Sequence, residues 1–477
     1  MTPVKHGKNI ILIPIILVAI IWYATSRIKL PIALDTGWSA PIAVASTQNG
    51  FAGGGSLYKW HDTLVQVDGQ CEWVPHSSIV SSSTCLTWVH DPKSTNFWTQ
   101  QPAFTLPGCY ALYLPAFDEA SDKVILAGGY IENNVLHMSA LFAHLSANRG
   151  IQIETKKEWA KDQESLLGKT GTNVTLNDPP ERTKRSSRNY PSFGGGIIAG
   201  SEVYVAFSIS AYTFFDTGPT PGIGDGPYYH GVFHSMDLGE TWQMEQVSDT
   251  DSFDFSIRRT KANLYFFANG VVGKSRGLAL WFSRKPAEGS SWEPPKAVAW
   301  AVPYGVDERY SAVADGDTIH ICWLDNRHET KYWLSLARSG RGNYEVAYCG
   351  RKDSDSRWRK DVILSRGIMF AYSPSISAEG DKVVVAWAGA QTAHAWPFEG
   401  DPSDIYYATS KDDGKTWSRP LQVTDLATNG ITSASVRVAI QNGVIHLFYA
   451  QGRYDRDAQV SQQGGWPVYY QQRTFPN

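Results

Sequence analysis

Ser235-Met-Asp237-Leu-Gly239-Glu-Thr241-Trp242 and Ser410-Lys-Asp412-Asp-Gly414-Lys-Thr416-Trp417 share one eight-residue grammar, Ser-x-Asp-x-Gly-x-Thr-Trp. Each follows strand-forming residues, Tyr228 to His234 and Asp404 to Ala408, and precedes another such run. The octapeptides therefore read as hairpin turns. The residue types suit that role: Ser and Asp side chains bond backbone amides inside a loop, Gly supplies a positive φ, and Trp packs back over the hairpin.

Working outward from these two copies uncovers a repeat. Degenerate relatives stand at Gly289-Ser-Ser-Trp292 and Asp353-Ser-Asp355-Ser-Arg-Trp358, with weaker hairpin tryptophans at Trp98 and Trp159. Near the start, Asp35-Thr-Gly37-Trp38 followed by Ser-Ala-Pro-Ile-Ala-Val-Ala has the form of the second half of such a turn and its outer strand. The seven tryptophans are separated by 60, 61, 83, 50, 66 and 59 residues. That period fits one four-stranded propeller blade with connections of varying length.

The strands can be read directly in the later repeats. One repeat runs Tyr372-Ser-Pro-Ser-Ile-Ser, Lys382-Val-Val-Val-Ala-Trp, Asp404-Ile-Tyr-Tyr-Ala-Thr and Leu421-Gln-Val-Thr; the one before it runs from Tyr310 through Thr318 and Tyr344 to Val362. The last has Ser435 to Ile440, Val444 to Tyr449 and Pro467 to Tyr470, and then lacks a strand that Pro41-Ile-Ala-Val-Ala can supply. Such a closure joins the chain ends and removes exposed sheet edges. The expectation is an all-β, seven-bladed β-propeller over residues 31–477, closed by an N-terminal strand completing the last blade. Six blades is the alternative, if residues 40 to 180 form one blade with a large insertion.

The octapeptide resembles the Asp box, or BNR repeat, of sialidases and related β-propellers. The resemblance implies that the boxes are architectural and that the protein acts on carbohydrate. Sialidases of this kind have six blades, so the blade count is itself informative.

Composition agrees with a large sheet protein. The chain has 477 residues, 13% aromatic and 19% charged, with 18 Trp, and its net charge of -3 offers no electrostatic attraction to nucleic acid. Most of the tryptophans are expected to fill gaps between sheets, and some to stack on sugars. Residues 1–30 stand apart. Ile10 to Ala24 is almost wholly apolar, flanked by Lys5, Lys8, Arg27 and Lys29. At about fifteen residues the run is short of the roughly 20 needed to cross a bilayer. It reads as a signal-peptide core, with an uncleaved anchor as the alternative and membrane attachment through residues 10–24 in that case. Either reading places the body of the protein outside the cytoplasm.

The five cysteines do not settle the compartment. Cys71 with Cys85 and Cys322 with Cys349 sit on neighbouring strands, where cross-strand bridges are conceivable, and Cys109 is left over. No Cys or His cluster has metal-ligand spacing, and no cofactor is expected. Asn173-Val-Thr175 is a sequon. Gly168-Lys169-Thr170 lacks the leading Gly of a phosphate loop, and the basic run Arg182 to Arg188 is a solvated inter-blade stretch.

Strand order locates the site. Long connections, Ser210 to Pro227, Asn326 to Asn343, Gln391 to Ser403 and Gln451 to Gly465, gather on the face without boxes, where a rigid scaffold usually carries function. Arg188-Asn-Tyr190, Asp307-Glu308-Arg309-Tyr310 and Tyr372 open inner strands there. Arg437 lies in mid-strand, where a cation points into the axial channel or between blades and needs an anion. Nearby loops add Asp216, Asp225, Asp325, Arg327, His328, Glu399, Arg453, Asp455 and Arg456.

The sialidase resemblance implies roles for these residues. Such enzymes clamp a substrate carboxylate with three arginines and attack with a tyrosine activated by a glutamate, while an aspartate protonates the leaving group. The candidates are Tyr310 or Tyr372 as nucleophile, Glu308 as base, and Arg188, Arg309 and Arg437 as clamp, with Asp325 a further catalytic candidate, no motif fixing the acid, and Tyr190, Arg327 and Arg453 binding substrate. The Arg-Ile-Pro motif typical of the family is matched only near Arg27-Ile-Lys-Leu-Pro31, beside the apolar segment. Two other readings are a uronate-glycan lyase using His137, His230, Tyr190 and Arg188, and a non-catalytic propeller that binds glycan or organises an assembly.

Overall fold

The computed structural model describes residues 32–46, 56–61, 63–73, 80–91, 98–101, 104–107, 116–118, 122–132, 135–146, 150–162, 187–215, 222–224, 228–248, 252–271, 278–289, 291–300, 310–327, 344–368, 370–390, 402–452, 454–455, 460–461 and 467–476. Seven antiparallel sheets of four principal strands follow one another along the chain. In each, the chain enters at one edge and steps outward strand by strand. Blade 1 runs Ser56–Trp60, Thr63–Trp73, Val80–His90 and Trp98–Gln100; blade 2 runs Ala116–Asp118, Lys123–Glu132, Val135–Ser146 and Gly150–Asp162. Blade 3 runs Ser187–Ala199, Glu202–Phe215, Tyr228–Ser235 and Gln243–Ser248; blade 4 runs Ser252–Arg259, Asn263–Val271, Leu278–Pro286 and Lys296–Trp300. Blade 5 runs Tyr310–Asp315, Thr318–Asp325, Glu345–Lys352 and Val362–Ile363; blade 6 runs Phe370–Glu379, Lys382–Ala390, Asp404–Ser410 and Leu421–Gln422.

Blade 7 is the composite that the sequence implied. Thr432–Gln441, Val444–Gly452 and Pro467–Thr474 are completed by Ile42–Ser46, which pairs antiparallel with the third strand, Ile42 opposite Tyr470 and Ser46 opposite Pro467. Residues 56–162 form two blades rather than one with an insertion, so the count is seven.

Each sheet is buried on both faces by its neighbours, which explains why the second and third strands are continuous apolar runs rather than alternating ones. Thr318–Asp325 and Asp404–Ser410 are buried along their whole length. The packing closes a ring. One apolar cluster joins blades 5, 6 and 7 around Trp387, Tyr406 and Val436; another joins blades 7 and 1 through Phe448, Tyr470, Leu64 and Trp98. Further clusters join blades 1 and 2, 2 and 3, 3 and 4, and 4 and 5.

The two octapeptides fold identically. Ser235 Oγ accepts from Gly239 N at 2.6 Å, while Asp237 takes Thr241 N at 2.8 Å and Thr241 Oγ1 at 2.6 Å. Ser410 and Asp412 do the same with Gly414 N at 2.9 Å, Thr416 N at 2.8 Å and Thr416 Oγ1 at 2.7 Å. Both glycines have positive φ, 85° and 76°, and both tryptophans donate Nε1–H to the glycine carbonyl, at 3.0 and 3.1 Å. Each turn also bonds the first hairpin of its own blade, Leu238 N to Ser201 O and Asp413 N to Asp381 O. The octapeptides and first hairpins therefore share one face of the ring, and the second-to-third strand connections lie on the other, the loop face.

The tryptophans staple blades together. Trp417 packs against Tyr348 of blade 5 with centroids 4.6 Å apart, Trp358 against Phe282 of blade 4 at 5.3 Å, and Trp98 against Phe448 of blade 7 at 4.7 Å. Trp292 donates to Glu245 of blade 3 at 2.9 Å, beside the Lys285 ammonium at 2.5 Å, and although burial pushes the Glu245 carboxyl up, His234, Lys285 and Trp292 together hold it at about 2. Trp159 departs from the expectation: it lies inside the outer strand of blade 2, well past the hairpin between Ser146 and Gly150.

Cys322 and Cys349 are free and buried. Cys322 stands opposite Tyr348 and Cys349 opposite Ile321, so the two thiols lie on opposite faces of the blade 5 sheet, one in the cluster toward blade 6 and one toward blade 4. No bridge joins them. The register sets Cys71 opposite Ser83 and Cys85 opposite Gly69, diagonal positions in blade 1. Cys109, the sequon, the Gly168-Lys-Thr stretch and the apolar segment 10–24 lie outside the described residues. Among the described residues no helix is long and apolar enough to cross a membrane, and no group of side chains has the makings of a metal site.

Candidate functional site

The octapeptide face is occupied by its own hydrogen bonds. Asp315, at the end of the blade 5 inner strand, accepts Gly380 N of blade 6 at 2.6 Å, and Glu379 of blade 6 accepts Asn442 N and Gly443 N of blade 7 at 2.8 and 2.9 Å. Asp353 takes Thr260 Oγ1, Asn263 Nδ2 and Ala262 N of blade 4. Arg259 pairs with Glu202, and Arg359 with Asp413. Each carboxylate ties one blade to the next, which leaves this face a mechanical role.

The inner strands, which line the axis, have a different character. A sheet edge presents unpaired backbone groups, and here the neighbouring blade supplies many of the partners. Ser311 Oγ accepts Ile376 N at 3.3 Å, Ser375 Oγ accepts Val438 N at 3.1 Å, and Ser377 Oγ accepts Ile440 N at 3.0 Å. Bulges interrupt the inner strands of blades 3, 4, 6 and 7 near the loop face, with Gly195, Asp254, Ser373 and Ser435 at positive φ. A bulge bends the strand and re-aims the side chains that follow it.

Cations stand below these bulges. Arg437 follows the blade 7 bulge and shares with Ala439 the face turned toward blade 1; it is partly exposed and donates NH1–H to Val436 O at 2.7 Å. Arg258 of blade 4 lies on the face turned toward blade 5 and donates Nε–H to Ala312 O at 2.6 Å. Lys59 of blade 1 donates to Ala378 O of blade 6 at 3.1 Å, reaching past blade 7 along the inner rim. On the inner strands of blades 5 and 6 the carboxylates Asp315 and Glu379, at the octapeptide end, are engaged by turn amides, whereas Asp254 stands on the blade 4 bulge near the loop face.

The tyrosines expected as nucleophiles are built into the walls. Tyr310 donates to Phe267 O of blade 4 at 3.1 Å and lies 3.0 Å from Ser256 Oγ. Burial pushes its phenol up, with Ser256 and the Arg258 charge opposing. Tyr372 is buried between blades 6 and 7, donating to Ser433 O at 2.5 Å and bonded to Ser403 Oγ. Asp325 is fully buried at the end of its strand and holds Arg327 through Nε at 2.9 Å and NH2 at 2.5 Å, with Trp323 Nε1 at 3.0 Å; Arg327 also meets Asp361 at 2.5 Å. This triad anchors the start of the long blade 5 connection.

Arg188 and Tyr190 lie on the blade 3 inner strand, opposite Tyr212 and Ser210. His230 is buried among Phe255, Phe266 and Trp281, and His137 lies on the third strand of blade 2 opposite Tyr130. Asp455 sits on the short strand Tyr454–Asp455. Glu308, Arg309, Arg453, Asp216, Asp225, His328, Glu399 and Arg456 are outside the described residues. The structure therefore gathers Arg258 with Tyr310, sets Tyr310 opposite Trp323, the indole that donates to Asp325, and holds Tyr372 apart in the seam between blades 6 and 7.

Three residues escaped the sequence reading. Arg258 and Lys59 occupy inner-strand positions, and the strand-position argument that singled out Arg437 applies equally to Arg258 in Ser252–Arg259. Trp300 ends the outer strand of blade 4 at the loop face and is 51% exposed, unlike the buried or half-buried tryptophans elsewhere among the described residues. A lone exposed indole carries no sequence signal that distinguishes it from a packing one.

Neither a protein-family model nor a curated protein matches the sequence. Among solved structures, the chain is similar to a mutant Trypanosoma rangeli sialidase displaying trans-sialidase activity, at 9% identity and a TM-score of 0.42, over 93% of this chain and 60% of that one. It is likewise similar to the polysaccharide lyase Uly1, at 8% identity and a TM-score of 0.45, over 92% of this chain and 100% of the lyase. The catalytic domain of a Coprinopsis cinerea GH62 α-L-arabinofuranosidase follows at 10% identity and a TM-score of 0.29, over 62% of this chain and 93% of that one. The chain spans about 60% of the length of the sialidase.

Proposed function

We propose that this propeller recognises an anionic, carboxylate-bearing glycan at its loop face. The observation that carries the reading is the set of three inner-strand cations, Arg258, Arg437 and Lys59, each donating to a neutral carbonyl, while Asp315 and Glu379 are engaged by amides at the opposite face. A cation-lined cleft with apolar walls concentrates anions, and guanidinium groups read carboxylates by forked hydrogen bonds. Trp300 at the rim offers an indole surface on which a pyranose ring can stack. Export fits this role, with residues 10–24 serving as signal or anchor.

Sialidase-like hydrolysis is the second reading, resting on the Arg258 charge beside the Tyr310 phenol, which opposes but does not outweigh the burial that pushes the phenol up. Glu308, two residues before Tyr310, is its proposed base. A release assay on sialylated and uronate-containing glycans, with Tyr310→Phe beside wild type, separates the two. Activity lost in the variant supports hydrolysis; an inactive wild type that still binds acidic glycan supports recognition alone.

A further inference from the structure

We infer that Arg258 is the core of an anion site inside the axial channel, fitted to a small oxyanion such as sulfate, phosphate or a carboxylate. The inference rests on the anionic-glycan reading, which already uses Arg258, and names the group in the channel wall that receives the oxyanion.

Arg258 spends its Nε–H on Ala312 O at 2.6 Å and one NH1 proton on Ile257 O at 2.7 Å. Both acceptors are neutral carbonyls. A guanidinium carries five N–H donors in a planar fork, so three are not spent on these carbonyls, and Arg258 keeps part of its surface accessible on an inner strand. The groups that act on its charge are the phenols of Tyr310 and Tyr58. Tyr58 belongs to blade 1, across the axis from blade 4, so the guanidinium reaches toward the channel centre.

No carboxylate among the described residues answers this charge. Three other cations of the ring have carboxylate partners: Arg259 with Glu202, Lys285 with Glu245, Arg359 with Asp413. Asp315 and Glu379 are engaged by backbone amides of the next blade, and Asp254, exposed on the blade 4 bulge, acts on Tyr310. Burial accordingly pulls the Arg258 guanidinium below its ordinary range, only partly offset by the two phenols. A desolvated cation without a counter-charge is costly, and an anion that enters the channel removes that cost. The free edge of the fork, one NH1 proton and the NH2 group, matches two oxygens of one oxyanion.

The test is isothermal titration calorimetry of the full chain with sodium sulfate, sodium phosphate and sodium acetate in a chloride-poor zwitterionic buffer. Wild type should show saturable one-site binding, and Arg258→Met should bind at least tenfold more weakly. In the anion-poor buffer Arg258→Met should melt no lower than wild type, since the substitution removes an uncompensated charge, and added sulfate should raise the Tm of wild type alone. Arg258→Lys, which keeps the charge and loses the fork, should fold and bind at least fivefold more weakly, and so serves if the methionine variant does not fold. Glucuronate distinguishes the source of the oxyanion: displacement of sulfate assigns the site to a sugar-borne carboxylate, and failure to displace it assigns the site to a free ion. Absence of saturable binding by wild type, or equal binding by Arg258→Met, overturns the inference.

Discussion

Trp38 stands edge-on to Tyr407, with ring centroids 5.3 Å apart. The two belong to opposite ends of the chain, and the contact repeats the one between Trp417 and Tyr348 a blade earlier. Asp35 strengthens the joint by accepting the Tyr407 hydroxyl and pairing with Arg473, and Gly37 N bonds Asp35 Oδ1 at 3.0 Å. The N-terminal half-turn thus staples blade 7 to blade 6, while Ile42–Ser46 closes the sheet.

Ring closure should therefore be measurable as stability. Trp38→Ala removes an indole that is half-buried against Tyr407, and a loss of about 2 kcal/mol is expected from such a truncation at a partly accessible site. Chemical denaturation of wild type and variant gives the number. Starting the chain after Ser46 should do far more, leaving Pro467–Thr474 as an exposed edge that drives self-association, visible by light scattering.

Gly414→Ala should be among the worst single substitutions. A Cβ there would lie 1.8 Å from the Tyr348 hydroxyl, on a residue whose φ is +76°. Neither strain relaxes without moving the Trp417 staple, and a loss of about 3 kcal/mol or more is expected from overpacking and backbone conformation combined. Gly200→Ala is the control, also at positive φ (+63°) but with nothing within 4 Å; thermal melts should rank it well above Gly414→Ala.

Mild acid should weaken the seam between blades 7 and 1. His446 Nδ1 lies 2.8 Å from the Tyr470 hydroxyl, and its ring packs 5.2 Å from that of His90. Burial first, and the His90 charge second, pull His446 from 6.5 to about 3; burial also lowers His90, against the pull of Asp91. A histidine kept neutral in the fold stabilises it fully above 6.5, and that contribution declines as pH falls from 6.5 toward 3, by at most about 1.4 kcal/mol per pH unit for each group. Asp237, held at about 2 chiefly by the Thr241 hydroxyl, and Asp412, held at about 2 by Thr416 and Ser410 although burial pushes it up, contribute in the same sense but at lower pH. Their stabilisation is present above about 4 and is lost as pH falls through about 2. Denaturation midpoints between pH 6.5 and 4 should therefore report the histidines, and His446→Gln should flatten that slope.

The architecture was legible where local chemistry dictates it. Ser, Asp, Gly and Thr at fixed offsets specify one hydrogen-bond network, and both copies form it. The closing strand was legible because the last repeat lacks an outer strand and Pro41 to Ala45 has the pattern to replace it. Trp159 was misread as a hairpin residue because a tryptophan without the Ser, Asp and Gly around it carries no turn signal. Cys322 and Cys349 were correctly placed on neighbouring strands, but whether two thiols face each other depends on a one-residue parity of register that spacing does not supply. The inner-strand bulges were invisible for a related reason: in blades 4, 6 and 7 the positive φ falls on Asp254, Ser373 and Ser435 rather than on glycine. Those bulges re-aim the side chains that follow them in blades 4 and 7, so the inner-strand position that pointed to Arg437 holds equally for Arg258, whereas Lys59 stands on the unbulged inner strand of blade 1.

The most direct test of a cationic channel serving an anionic glycan is equilibrium binding of an acidic oligosaccharide and its neutral, carboxyl-reduced counterpart to wild type and Arg437→Ala, at low and at moderate salt. Wild type should prefer the acidic glycan at least tenfold, the preference should shrink as salt rises, and Arg437→Ala should lose most of it while melting within a few degrees of wild type. Equal affinity for the two glycans, or an unchanged preference in a folded Arg437→Ala, would contradict the account.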